Sequence, residues 1–148
     1  VLQGGRFGER VRGARVLDLF AGTGALGLEA LSRGAAHATF VDDGKVAGKL
    51  IAANIAKLRR AGDTTVLKAD ATKLPPISIP CTLVFLDPPY GKGLGLKAMV
   101  AALGAGWIAP DALIVLEENS AQPAPRGFRT LDSKRYGETW ITLLEVSK

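Results

Sequence analysis

The stretch Val16-Leu-Asp-Leu-Phe-Ala-Gly-Thr-Gly-Ala-Leu-Gly27 decides the fold. It reads as the end of an apolar strand, a glycine-rich turn and the start of a helix. Gly22, Gly24 and Gly27 match the G-x-G-x-x-G pattern, in which glycine lets the backbone turn sharply and approach a bound nucleotide closely. Asp42 lies about one strand further on, where a carboxylate can accept from ribose hydroxyls. Asp18, at the mouth of the first strand, separates two cofactor classes. A pyrophosphate calls for bare amides at a helix N-terminus, and a carboxylate there opposes it. S-adenosylmethionine has no phosphate and carries an ammonium that an acid can meet. Tying loop amides is the structural alternative for Asp18.

Outward from this turn, short apolar runs alternate with helical patterns, the mark of an α/β protein with a largely parallel sheet. Strands are predicted at 15–20, 38–42, 65–68, 81–86 and 113–116, with helices at 25–33, 46–60 and 96–103. In the second helix Val46, Leu50, Ile51, Ile55 and Leu58 recur at helical spacing. Segments 128–136 and 138–146 read as adjacent strands joined near Gly137, an antiparallel hairpin closing the sheet. The prediction is thus one α/β, Rossmann-like domain over residues 15–148, behind a basic segment 1–14. The chain opens on Val1 with no methionine, and a further N-terminal piece is expected ahead of it.

Asp87-Pro88-Pro89-Tyr90 ends the fourth strand and carries the chemistry. The exocyclic amine of a base is a poor nucleophile, because its lone pair is delocalised into the ring. Acceptors that take its N–H groups favour pyramidal nitrogen and free that pair. The Asp87 carboxylate and the Pro88 carbonyl suit this role. The two prolines stiffen the loop, and Tyr90 offers a ring on which a base can stack. A plain turn is the alternative, but the run sits at the carboxyl end of a central strand, where open α/β sheets bind ligands. The candidate catalytic set is therefore Asp87, Pro88, Pro89 and Tyr90. The candidate cofactor contacts are Asp18, Phe20, Ala21, Gly22, Thr23, Gly24, Asp42, Asp43, Asp70 and Ala71, with Asp70 placed near an adenine. No metal is expected: His37 is the only histidine.

The bulk properties narrow the classes. With 148 residues, 47% hydrophobic and 22% charged, the chain suits one globular core. No apolar run reaches the ~18 residues of a membrane span. The lone Cys81 allows no internal disulfide, which fits a cytoplasmic protein. The net charge of +5 favours a polyanionic partner. Arg6, Arg10, Arg12 and Arg15 crowd the start, and Arg126, Arg129, Lys134 and Arg135 the end. Lys57, Arg59 and Arg60 read as a solvated helix C-terminus.

The chain resembles the bacterial 16S ribosomal RNA guanine-N2 methyltransferase family. The residues that carry the likeness are 17–34, Asp87 to Tyr90, and Tyr136-Gly137 before the last strand. The resemblance implies a seven-stranded class I methyltransferase fold, S-adenosylmethionine as cofactor and S-adenosylhomocysteine as product. It also implies a guanine of small-subunit rRNA as substrate; the expected partner is the small subunit or its assembly intermediate, and the expected state is a monomer. Two features depart from it: most of the basic arm expected ahead of the first motif is absent, and Asp43-Gly44 is atypical. The rival readings are a DNA adenine-N6 or cytosine-N4 methyltransferase, a non-catalytic RNA-binding protein of the same fold, and an NAD-dependent oxidoreductase.

Overall fold

A computed structural model describes residues 9–77 and 79–147 of the chain. Among these residues seven strands form one sheet: β1 (Arg15–Leu19), β2 (His37–Val41), β3 (Thr64–Leu67), β4 (Cys81–Leu86), β5 (Ile108–Glu118), β6 (Phe128–Tyr136) and β7 (Thr139–Val146). Helices α1 (Ala25–Ser32), α2 (Lys45–Lys57) and α3 (Leu94–Gly104) pack on it, and residues 9–11 are also helical. The strand order is β3-β2-β1-β4-β5-β7-β6. All pairs are parallel except those of β7, which runs antiparallel to both β5 and β6. Connections after β1 lead one way across the sheet and those after β4 the other. The order therefore reverses between β1 and β4, which opens a crevice at their carboxyl ends.

The side-chain alternation of the strands splits the core in two. On one face Leu17, Leu19, Val84, Leu86, Ile114 and Leu116 pack with Ala98, Met99 and Ala102 of α3 and with Trp107. On the other, Val16, Phe40, Leu83, Phe85 and Val115 meet Leu28 and Leu31 of α1 and Ile51 and Ile55 of α2. Val11 and Ala14 are buried in this second cluster, and backbone bonds Gly13 N to Gly34 O and Ala36 N to Ala14 O, both 2.8 Å, tie them down. The core thus reaches back into the basic leading segment.

Four local expectations are corrected. Of the apolar positions read in the second helix, only Ile51 and Ile55 are buried; Val46, Leu50 and Leu58 lie exposed. Residues 51 and 55 are one turn apart on the line facing the sheet; 46 and 50 lie off that line, and Leu58 stands past the last helical residue. The helix also stops at Lys57, since Arg59 takes φ 55°. Third, β5 is longer than predicted and runs on through Glu117 and Glu118, because β7 pairs with it as far as Trp140. Arg60 is more than a solvated charge: its Nη2 donates to the Leu31 carbonyl at 2.7 Å, at the end of α1.

Candidate active site

The turn after β1 is held open by backbone conformations that only a few residues adopt. Phe20 has φ 58°, Gly22 φ 59° and Gly24 φ 79°. For Phe20, a residue with a Cβ, that left-handed state costs on the order of 1 kcal/mol. Backbone bonds compensate: Ala21 N donates to Val41 O at 3.0 Å and Gly24 N to Ala21 O at 2.8 Å. The Asp42 carboxylate completes the turn, accepting from Gly22 N at 3.0 Å and from Gly44 N at 2.8 Å. Asp42 thereby joins the glycine turn to the loop after β2.

Gly27 serves packing. A Cβ there would lie 2.5 Å from Cε1 of Phe40, so α1 settles on the sheet more closely than any side chain permits. The same closeness brings its amide to Asp18, whose Oδ2 accepts from Gly27 N at 3.1 Å. Asp18 is 2% exposed and lies beneath the turn, capping the first turn of α1 from the neighbouring strand. Burial pushes its pKa up to about 8, the nearby Asp87 and Asp42 charges add to the rise, and the Gly27 bond opposes it.

This makes Asp18 a pH sensor of stability. From its ordinary value of 3.8 up to about 8, the folded protein holds a proton that the unfolded chain has released. Its contribution is therefore complete below the ordinary value and is lost as pH rises through the folded one. Asp18→Asn, which keeps an acceptor for Gly27 N, should narrow the stability difference between about pH 5 and pH 8. Urea denaturation of parent and variant at both values checks this; an undiminished difference in the variant refutes it.

Above the turn lies a cavity of about 230 Å³. Of the predicted cofactor contacts, Phe20, Asp42, Asp43, Asp70 and Ala71 line it, and so does Pro89 from the other candidate loop. Asp18, Ala21, Gly22, Thr23 and Gly24 do not: they build the turn beneath. The Thr23 carbonyl instead accepts from Asn54 Nδ2 at 2.9 Å. Val41, Ala69, Thr72 and Leu94 also line the cavity. Their position beside carboxyl ends of strands was the only sequence signal for them. Asp70 Oδ1 accepts from Thr72 N and Oγ1 at 2.8 and 2.7 Å, and these bonds hold its pKa below the usual carboxylate value.

The Asp87–Tyr90 loop begins beside the glycine turn, since Asp87 N donates to the carbonyl of Leu19, the last residue of β1, at 3.4 Å. Pro88 is buried, while Asp87, Pro89 and Tyr90 are exposed. The Asp87 pKa is pushed up to about 6, first by desolvation and then by the charges of Glu117 and Glu118. These two acids are the residues that sequence reading missed. Glu118 is 2% exposed, and its Oε1 accepts from Gly91 N at 3.0 Å and Asn119 N at 3.1 Å, anchoring the end of the loop. Glu117 Oε1 accepts from the Tyr90 hydroxyl at 2.8 Å. Two carboxylates ending a strand next to a reactive loop were the available signal, but it needs the β4–β5 pairing to be read.

The remaining candidates lie apart. Cys81 is buried in the core, with its thiol pushed up to about 11 by burial. Trp107 is buried and its Nε1 donates to Pro75 O at 2.6 Å. His37 opens β2 and pairs with Thr65 Oγ1 at 3.1 Å. Arg6 lies outside the described residues. Among the described residues no group of three or more His, Cys, Asp and Glu side chains is placed to hold a metal ion, and no helix is long and apolar enough to cross a membrane.

Known proteins resemble this chain in sequence and fold. The family model described as conserved hypothetical protein 95 matches residues 5–145. Ribosomal RNA small subunit methyltransferase D of Escherichia coli (strain K12) is 37% identical over 136 residues, covering 89% of this chain and 68% of that protein. The protein of the same name in Haemophilus influenzae is 32% identical over 127 residues, covering 82% and 66%. The chain thus spans about two thirds of the length of these relatives. Among solved structures, one from E. coli described as methyltransferase yhhF superposes with a TM-score of 0.80 at 33% identity, covering 93% of this chain and 77% of its own. One from H. influenzae, described as a methylase, gives 0.85 at 28% identity, covering 97% and 92%. The sheet order, the glycine turn and this breadth of similarity agree: the chain has the class I methyltransferase fold and belongs to the ribosomal RNA small subunit methyltransferase D family.

Proposed function

We propose that the protein transfers a methyl group from S-adenosylmethionine to the exocyclic N2 amine of a guanine in small-subunit rRNA. One observation carries this reading. The glycine turn and the Asp87–Tyr90 loop converge at the reversal of strand order, and Phe20 and Pro89 line one cavity from the two sides.

The residues present fit the cofactor. Three carboxylates, Asp42, Asp43 and Asp70, line the cavity and, among the described residues, no cation does, which suits a ligand offering hydroxyl and amine donors and opposes a pyrophosphate. Asp42 would take the ribose hydroxyls and Asp70 the adenine amine, with Ala71 and Phe20 against the apolar faces. Asp18 would act from beneath, holding the Gly27 amide and with it the glycine turn on which the cofactor would lie. When bound, S-adenosylmethionine supplies an electrophilic methyl on a sulfonium. The chain's own part is to hold the target amine: Asp87 and the Pro88 carbonyl accept its N–H groups, the rigid Pro-Pro pair keeps those acceptors in place, and the Tyr90 ring supports the base. The proton released by the methylated amine passes to Asp87 or to water.

Asp42→Ala should weaken S-adenosylhomocysteine binding by about 1–3 kcal/mol, the scale of lost hydrogen bonds to a charged acceptor. Calorimetry at equal protein stability reads it, and unchanged affinity removes Asp42 from the ribose site. The function itself is tested by methyl transfer onto small ribosomal subunits from cells lacking the modification, with the methylated nucleotide mapped. N2-methylguanine at one position is the expected product. An adenine or cytosine product, or none with cofactor bound, overturns the proposal.

A further inference from the structure

The Asp87 carboxylate does not stand alone at the crevice. Leu86 of β4 pairs in register with Leu116 of β5, so the next residues, Asp87 and Glu117, stand side by side where the two parallel strands end. Alternation places both on the face opposite Leu86 and Leu116, whereas Glu118 turns inward to the loop amides. One oxygen of Glu117 takes the Tyr90 hydroxyl. Among the described residues that is its one side-chain hydrogen bond, which leaves its second oxygen available to a donor. The ring proposed to stack on the base and the second carboxylate are thus fastened to each other.

Two neighbouring acceptors ask for two neighbouring donors. On the Watson–Crick edge, guanine offers N1–H beside the N2 amine. Adenine and cytosine place an acceptor nitrogen beside their amines, and a carboxylate would face that lone pair unfavourably. We infer that Glu117 is a specificity-determining residue that selects guanine by accepting its N1–H while Asp87 holds the N2 amine. This rests on the N2 reading above. A site built to receive a donor rejects an analogue that lacks it far more strongly than shape alone can.

The test uses 2,6-diaminopurine, which keeps the N2 amine but has an unprotonated N1. It replaces guanine at the mapped nucleotide, in RNA presented free or assembled, whichever form the parent protein methylates. Single-turnover rates are compared on guanine and diaminopurine substrates for the parent and for Glu117→Gln. The amide of that variant still accepts from Tyr90 and can turn its N–H toward N1. The parent should prefer guanine by at least ~10²-fold, and Glu117→Gln should narrow that preference by ~10-fold or more. Because the preference is a ratio within one protein, a general loss of activity cancels. Equal parent rates on both bases would overturn the inference and leave N2 methylation standing. A guanine preference unchanged in Glu117→Gln would also overturn it, assigning selection to another group. A parent inactive on both substrates would sink the N2 reading, and the inference with it.

Discussion

Replacing Asp87 by alanine should lower the single-turnover rate of methyl transfer by at least ~10²-fold, the scale of one lost transition-state acceptor. Cofactor affinity should stay nearly unchanged, because Asp87 does not line the cavity assigned to the cofactor. The effect belongs in the rate because the amine needs its acceptor most as its lone pair is freed. The pH dependence gives an independent check. The working form of Asp87 is the carboxylate, and its pKa stands at about 6. The parent rate should therefore be full above that value and fall about tenfold per unit below it. Tyr90→Ala should act differently, weakening base capture by ~1–3 kcal/mol of stacking. Tyr90→Phe keeps the ring and loses the hydroxyl's bonds to Glu117 and Thr139. If Asp87→Ala turned over at the parent rate with cofactor and RNA saturating, the acceptor would have to be another group.

Phe40→Ala should destabilise the fold by ~3–5 kcal/mol, the usual cost of emptying a buried aromatic site. Phe40 is fully buried on β2, and its ring edge fills the space where side chains at 24 and 27 would stand. The two glycines and the ring are thus one packing unit. Gly27→Ala alone should cost ~1–3 kcal/mol, since its Cβ would press on the ring at 2.5 Å. In the Phe40→Ala background the same substitution loses its clash with the ring, keeps only Asp18 Oδ2 at 3.2 Å as a close neighbour, and gains the ~1 kcal/mol helix preference of alanine over glycine. The double variant should accordingly be more stable than the sum of the singles requires. Strict additivity in urea denaturation would show that ring and glycine do not share that space.

Features that depend on neighbours along the chain are legible in the sequence. The buried strands declare themselves as continuous apolar runs, and Cys81–Leu86 and Phe128–Tyr136 have the predicted limits. The glycine turn and the Pro88-Pro89 pair restrict local backbone angles, so residue type alone points to them. The family likeness rests on the same contiguous stretches. Features that depend on what lies across space are not legible there. A carboxylate at the end of a strand looks the same in sequence whether it faces a cavity, as Asp42 does, or lies sealed under a helix, as Asp18 does. Helical spacing marks an apolar stripe but not how much of it meets the sheet, so Val46, Leu50 and Leu58 read as core and stand in solvent. Glu117 and Glu118 lie 27 residues from Tyr90 and Gly91, and only the parallel pairing of β4 with β5 brings them to the reactive loop. The sequence by itself determined the strands, the turns and the chemistry each loop can offer, because those follow from local backbone preference and side-chain type. Which loops meet and which acids are buried depends instead on strand order and on the water that packing removes.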